Sequence, residues 1–159
     1  MFNKRKIDDK LVKKSVVFLS SLILLFCLVV FVDNNIVRYV AGDYDTNPSI
    51  EWSIDKVDEN LLYYNITGLA LIPRQDNKPF AIQILLKNSK TNTFMEINTD
   101  MRAGFLYTDP SDNYSYRDTG FIATVNKYLL DKNVDYEICI LFSHKGKKNI
   151  VFTNNMISM

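Results

Sequence analysis

The sequence has 159 residues, of which 47% are hydrophobic and 23% charged, and its formal net charge is +1. This length suits one domain with its termini, and the composition is that of a globular rather than a disordered protein. Six Lys and Arg against two Asp among the first fourteen residues give +4, so the remainder carries −3. This mildly acidic remainder excludes the electrostatic footprint of a nucleic-acid-binding protein, and we expect no nucleic-acid partner.

The first element in chain order is an uninterrupted apolar segment. Residues 16–32 carry no charge, and Ser20 and Ser21 are their only polar side chains. A helix of this length covers about 26 Å at 1.5 Å per residue. Ser15 and the long side chains of the preceding lysines extend it, so residues 15–32 are predicted to be a transmembrane helix in contact with the lipid bilayer.

The flanks of the apolar segment predict its orientation. The basic residues lie in the tail, residues 1–14, and Asp33 follows the segment, so the positive-inside rule places the tail in the cytoplasm and the C-terminal part outside. Signal-peptidase cleavage needs small residues just after the apolar core, which are missing. A lipoprotein site needs a small residue before Cys27, where Phe26 stands. We therefore expect an uncleaved signal anchor in the cell membrane.

Residues 33–49 are predicted to be a linker. Asp43, Asp45 and Pro48 favour turns and discourage regular structure. A calcium loop beginning at Asp43 would need Gly at its sixth position and Glu at its twelfth, where the chain has Pro48 and Ile54. No EF-hand is therefore expected, and nothing else in the sequence predicts a metal or a cofactor.

Residues 50–159 alternate apolar and polar side chains with a period of two, which is typical of half-buried strands. The predicted strands are 50–54, 61–72, 80–86, 94–98, 121–125, 136–142 and 149–153. The second strand is expected to bulge at Gly68, and the last two to form a hairpin around Gly146. About seven short strands without a competing helical period predict an all-β fold, an antiparallel β-sandwich in the extracytoplasmic domain.

One segment indicates which type of sandwich to expect. Leu130 precedes a turn, and Tyr136 then opens an alternating strand. This arrangement resembles the tyrosine corner of immunoglobulin-like and fibronectin-type sandwiches, in which the ring packs under the turn and the hydroxyl bonds back to the backbone. The predicted sandwich is therefore immunoglobulin-like.

Several motifs across residues 50–155 also resemble a group of small membrane-anchored β-sandwich domains of Gram-positive bacteria. The segments that carry the resemblance are 66–70, 84–86, Arg102, 116–121 and 130–140. Members of that group often have Gly before the corner tyrosine, where this chain has Val134 and Asp135. The group is encoded beside genes for surface polysaccharide and teichoic-acid-like polymers. The resemblance implies a cell-envelope location and a fold, and it assigns no catalytic residue.

The sequence offers little reactive chemistry. Cys27 lies in the apolar segment and Cys139 in a predicted strand, so no internal disulfide is expected, and Cys139 is predicted to be a buried apolar side chain. His144 is predicted to be an exposed turn residue. Its offset of five from Cys139 places the two on opposite faces of a regular strand, which argues against a Cys–His pair. Aspartates are frequent in predicted loops, but a glycosidase needs two of them about 5–9 Å apart.

A tyrosine-rich segment is the strongest candidate for ligand binding. Residues 107–118 are predicted to be a long loop in which tyrosine faces stack on sugar rings while Asp, Asn and Arg bond hydroxyls. The candidate ligand-binding residues are Tyr107, Asp109, Asn113, Tyr114, Tyr116 and Arg117. The alternative is an ordinary loop whose tyrosines pack back onto the sandwich.

These patterns predict a membrane-anchored, non-enzymatic binding or accessory protein of the cell envelope. Its expected partner is an envelope glycan or a membrane protein that assembles one. Two alternatives remain open: a structural subunit of a larger membrane complex, and a glycan-acting enzyme whose carboxylates meet only in the fold.

Overall fold

The computed structural model describes residues 9–34, 38–40, 44–47, 49–74, 80–102, 104, 106–109 and 115–158. The chain forms two compact units, Met1–Ile36 and Val37–Met159. The first unit contains helix α1 (Asp9–Asn34), and the second contains the β-strands.

Helix α1 is long and apolar enough to cross a membrane. Its apolar stretch Val12–Val32 has 21 residues and a mean hydropathy of 2.9, and none of it is buried. The hydroxyls of Ser20 and Ser21 donate to the carbonyl oxygens of Val16 and Val17, each at 2.9 Å. These bonds satisfy both hydroxyls within the helix. A single N-terminal helix of this kind could act as a membrane anchor or as a signal sequence.

More than half of the described residues lie in β-strands. The twelve described strands are β1 (Arg38–Val40), β2 (Asp45–Thr46), β3 (Glu51–Glu59), β4 (Tyr63–Leu71), β5 (Phe80–Asn88), β6 (Phe94–Glu96), β7 (Asn98–Met101), β8 (Leu106–Thr108), β9 (Ser115–Arg117), β10 (Gly120–Asn126), β11 (Asp135–His144) and β12 (Lys147–Ser158). A 3₁₀ helix, Lys127–Leu129, follows β10. The all-β character and the single N-terminal helix that the sequence predicts are confirmed.

The strands form two larger sheets and one small one. Sheet A has the order β1-β6-β5-β11-β12-β2, and sheet B has the order β3-β4-β10-β7. Strands β8 and β9 pair as a separate two-stranded hairpin. The pairs are antiparallel except for the short contact of β2 with β12, which is parallel.

The main hydrophobic core contains side chains of both larger sheets. Ile66 and Phe121 of sheet B are fully buried in the same cluster as Ile84 and Ile140 of sheet A. Successive side chains of a strand point to opposite faces, so these residues define the inner face of each sheet. Burying this apolar surface is the main favourable contribution to folding.

The number of strands differs from the prediction of about seven. Four of the additional strands, β1, β2, β8 and β9, have only two or three residues each. The fifth arises because the predicted strand 94–98 is divided at Ile97 into β6 and β7, which belong to different sheets. Such short segments are too brief to show an alternating pattern, and the partners of β1 and β2 are distant in sequence. Strands β1 and β2 lie within the segment that the sequence predicts as a linker.

The predicted bulge lies on the neighbouring strand instead. Ile54 pairs with Gly68 and Lys56 pairs with Thr67, so the extra residue is Asp55 of β3. Gly68 has another role: a Cβ atom placed there would lie 2.2 Å from the Ser53 carbonyl oxygen and 2.7 Å from the ring of Phe121. The absence of a side chain at Gly68 therefore permits close packing of the backbone of β3 and the ring from β10.

Candidate functional site

The tyrosine-rich segment forms a hairpin on sheet B. Leu69 and Leu71 alternate along β4 with inner-face residues, so they point to the outer face. Both leucines are buried in a cluster with Tyr116, and Tyr107 packs against that cluster. The hairpin β8–β9 therefore covers one end of the outer face of sheet B.

Tyr116 anchors this hairpin. Its side chain is only 3% exposed. Its hydroxyl oxygen accepts a hydrogen bond from the backbone N–H of Arg74 at 2.7 Å. The ring stacks on that of Tyr107, its cross-strand partner, with 6.2 Å between centroids and 27° between planes. The sequence left two interpretations open for this segment: a ligand-binding loop, and an ordinary loop whose tyrosines pack back onto the sandwich. The position of Tyr116 agrees with the second.

Tyr107 is half-buried. Burial raises the pKa of its hydroxyl, and the nearby carboxylates of Asp109 and Glu51 raise it further because they disfavour a second negative charge. Tyr107 therefore stays protonated at neutral pH, and its hydroxyl can donate a hydrogen bond. Asp109 is half-buried beside it, whereas Glu51 at the start of β3 is exposed.

The other candidate residues lie in different places. Arg117 is exposed on β9, where it pairs with Leu106 of β8. Asn113 and Tyr114 lie outside the described residues. The described structure thus brings Tyr116 and Asp109 close to Tyr107, and the buried ring of Tyr116 supports that of Tyr107.

A second group of residues, which the sequence did not single out, occupies the outer face of sheet B next to the hairpin. Cross-strand pairing aligns its members in two rows that run across β4, β10 and β7. These outer rows are Asn65–Thr124–Asn98 and Thr67–Ile122–Asp100. The Thr124 hydroxyl donates to the side-chain oxygen of Asn65 at 3.1 Å. The rows present amides and hydroxyls, which both donate and accept hydrogen bonds, together with the Asp100 carboxylate, which accepts them, and the apolar Ile122.

Part of this arrangement has a signal in the sequence. Residues 68–72 are apolar without interruption, which indicates a strand end that is buried on both faces. Residues 63–67 alternate, which indicates that Asn65 and Thr67 face solvent. From this pattern the sequence could have predicted that another segment packs on Leu69 and Leu71. It carries no information on the pairing of β4 with β10 and β7, which creates the rows.

The reactive side chains are separated in the fold. Cys139 is fully buried with Leu85 and Leu141. Burial, assisted by the Glu137 carboxylate, raises its thiol pKa to about 12 despite the opposing charge of Lys87. His144 is half-buried at the end of β11 rather than exposed in a turn, because the strand and its partner extend to the Lys145–Gly146 turn. Within the described ranges, no three His, Cys, Asp or Glu side chains come together as metal ligands.

Neither the protein-family models, nor the curated proteins, nor the solved structures gave a match to this chain. The resemblance to envelope β-sandwich domains therefore stays a prediction, and the geometry of the hairpin and the outer rows carries the functional argument.

Proposed function

We propose that this chain is a membrane-anchored, non-enzymatic accessory protein of the cell envelope that binds a surface glycan on the outer rows of sheet B. The observation that carries the proposal is a sheet face on which amides and hydroxyls outnumber one carboxylate, that of Asp100, and one apolar side chain, that of Ile122. Sugars offer hydroxyls that both donate and accept, and amides and hydroxyls match them. On the same face of sheet B, Tyr107 packs against the cluster of Leu69, Leu71 and Tyr116 and adds an aromatic ring.

Helix α1 and the charge of the tail support the envelope location. The helix is apolar over Val12–Val32, and the six basic residues before it favour a cytoplasmic N-terminus. In this topology the helix is an uncleaved anchor and the domain Val37–Met159 lies outside the membrane. The resemblance to envelope domains points to the same location.

The fold that we propose for the outer domain is an immunoglobulin-like sandwich. The core shared by sheets A and B supports a two-layer arrangement. The hydroxyl of Tyr136 accepts a hydrogen bond from the N–H of Asp131 at 2.9 Å, as expected for a tyrosine corner. Sandwiches of this type bind ligands through loops and sheet faces, so the outer rows are a suitable platform.

Titration of the full-length protein in lipid nanodiscs with purified envelope polymers tests the proposed binding. The double variant Thr67→Val and Thr124→Val removes two hydroxyls from the rows and keeps the β-branched shape of both residues. A hydrogen bond contributes about 1 kcal/mol, so we expect affinity to fall on the order of tenfold. Thr91→Val, in the exposed turn after β5, is the matched control and should bind as the wild type does.

Two results would argue against the proposal. The first is that no envelope polymer binds and that crosslinking in the native membrane recovers no glycan-assembling partner. The second is that a polymer binds equally well to the wild type and to the double variant. Unchanged fluorescence of Trp52 would show that the double variant remains folded.

One observation favours the alternative of a structural subunit. Four large apolar side chains are exposed at one end of the domain: Leu61, Leu62, Tyr128 and Leu129, here named the apolar tip. A partner subunit would cover such residues. The helix contributes less to this alternative, because the hydroxyls of Ser20 and Ser21 already bond within it. Crosslinking through the tip to another membrane protein would support the subunit role.

A further inference from the structure

Basic and apolar side chains follow one face of helix α1. Lys10, Lys13 and Lys14 are three and four positions apart, so they lie on the same side of the helix. The same spacing continues into the apolar part of the helix. This lysine face consists of Lys10, Lys13, Lys14, Val17, Phe18 and Ser21. All of these residues except Lys10 line a groove on the surface of the helix.

The opposite side of this part of the helix is apolar. With 3.6 residues per turn, Val12, Val16 and Leu19 point away from the lysine face, and all three are exposed. The described helix contains no other Lys or Arg, and its last turn has no basic residue. The positive-inside rule depends on the number of cations beside a helix, so it does not explain why these cations share one side.

The two lysines that line the groove are available to a ligand. Lys13 and Lys14 are exposed. Ion pairs in the described ranges form at Lys56, Lys87 and Lys127, so no carboxylate there neutralises the two lysines of the groove. Their long apolar stems can lie along the helix while the ammonium groups reach the headgroup layer of a bilayer. Each ammonium group brings three N–H donors to that depth.

The groove becomes apolar directly after the lysines. Val17 and Phe18 are 66% and 67% exposed. The Ser21 hydroxyl donates to the Val17 carbonyl oxygen at 2.9 Å, which satisfies this hydroxyl within the helix. At 1.5 Å per residue, Ser21 lies about 10 Å beyond Lys14 along the helix axis. A matching ligand therefore carries an anionic group at one end and an apolar chain of at least this length.

We propose that the lysine face binds one anionic phospholipid, with its phosphate on Lys13 and Lys14 and an acyl chain along Val17 and Phe18. The inference rests on the proposed membrane anchor, which puts these residues at the cytoplasmic surface of the bilayer. Phosphate oxygens accept charge-assisted hydrogen bonds from ammonium groups. A free phosphate ion would leave the apolar groove empty, and an apolar partner helix would leave two ammonium groups without an anion. A lipid matches both parts of the groove.

Quenching of a tryptophan by brominated lipids tests the proposal in the full-length protein. Val17→Trp places the probe on the lysine face, and Leu19→Trp places it on the opposite side, close in depth. The emission of Trp52, the single native tryptophan, is subtracted with the parent protein. In nanodiscs, phosphatidylglycerol and phosphatidylcholine with brominated acyl chains compete for contact with the probe. At position 17 we expect a preference of about fivefold for phosphatidylglycerol, the equivalent of one lysine at an anionic headgroup, and at position 19 we expect none.

Two double variants of the Val17→Trp protein test the role of the lysines. Lys13→Gln with Lys14→Gln should abolish the preference for phosphatidylglycerol. Lys147→Gln with Lys148→Gln makes the same change of charge in β12 and is the matched control, which should keep the preference. Inorganic phosphate added at constant ionic strength should leave the preference as it is.

The possible results separate the lipid site from the anchor. An equal preference at positions 17 and 19 would overturn the inference, since the whole tail would then attract anionic lipid without a site on one face. A preference that survives the loss of both lysines would also overturn it. Loss of the preference in inorganic phosphate would show a site for the free ion instead of a lipid. Absence of quenching by either lipid at both positions would show that the helix does not lie in the bilayer, so that the proposed anchor itself fails.

Discussion

At the scale of single residues, Gly68 leaves no room for a side chain. In Gly68→Ala the new Cβ atom would meet the Ser53 carbonyl oxygen at 2.2 Å. Because this oxygen belongs to the backbone of β3, the strands themselves must move apart. Overpacking of this kind costs about 1–3 kcal/mol. We expect the free energy of unfolding, followed through the fluorescence of Trp52 in denaturant, to fall by this amount.

Gly146→Ala is the comparison for this prediction. Gly146 has a φ of +79° in the turn between β11 and β12, and a Cβ atom there would meet no other atom within 4 Å. The substitution would therefore lower the free energy of unfolding only through backbone strain, by about 1 kcal/mol. Equal or greater destabilisation by Gly146→Ala would show that the contacts of Gly68 are relieved by small movements.

Cys139 links stability to alkaline pH. Burial raises the pKa of its thiol from 9.0 to about 12, so the native state holds the proton more tightly than the unfolded state does. The resulting stabilisation is fully present below pH 9 and is lost as the pH rises toward 12. In a Cys27→Ser background, Cys139→Ala should lose less stability across this interval than Cys139 does. If the free energy of unfolding declined equally in the two proteins between pH 9 and pH 12, the proposed link to the Cys139 thiol would be contradicted.

At the scale of elements, the hairpin β8–β9 depends on Tyr116 for its place on sheet B. Tyr116→Ala removes the ring that covers Leu69 and Leu71 and the acceptor of the Arg74 N–H. We expect faster hydrogen exchange in β8 and β9, with unchanged exchange in β11, because the hairpin adds a separate cluster to the main core. Leu106→Ala changes an exposed residue of the same hairpin and should leave exchange as it is. Faster exchange throughout the domain would indicate that the hairpin and the core unfold together.

How well the sequence predicts each strand depends on the length of the strand and on which of its faces are buried. Strands β5 and β11 have nine and ten residues, which is long enough to place apolar side chains at every second position of the inner face, so the sequence predicts them well. Strands β8 and β9 exist because they pair with each other and because Tyr116 packs on β4, which are contacts that no local pattern encodes. For the same reason, the sequence predicts a loop for residues 107–118, the segment that contains three tyrosines.

At the scale of the whole molecule, the candidate site depends on strand order. The outer rows combine β4, β10 and β7, and more than thirty positions of sequence separate Asn65 from Asn98, the β7 member of the same row. Each strand shows which of its residues face solvent, but not which other strand lies beside it. The sequence therefore predicts the anchor and the β-rich domain from local patterns, whereas the site becomes visible only from the pairing of distant strands.

The orientation that we propose for the whole chain rests on the basic residues of the tail. Only charges within about 15–20 residues of a helix end influence its orientation. Substitution of Gln for all six tail Lys and Arg should therefore place the outer domain inside in a fraction of molecules. The control replaces Lys145, Lys147 and Lys148, which lie more than a hundred residues beyond the helix. The outcome is measured by treating intact cells with external protease and following cleavage of a C-terminal tag. Protection of the tag in the tail variant alone would support the proposed orientation. Full cleavage in both variants would show that other features determine the orientation.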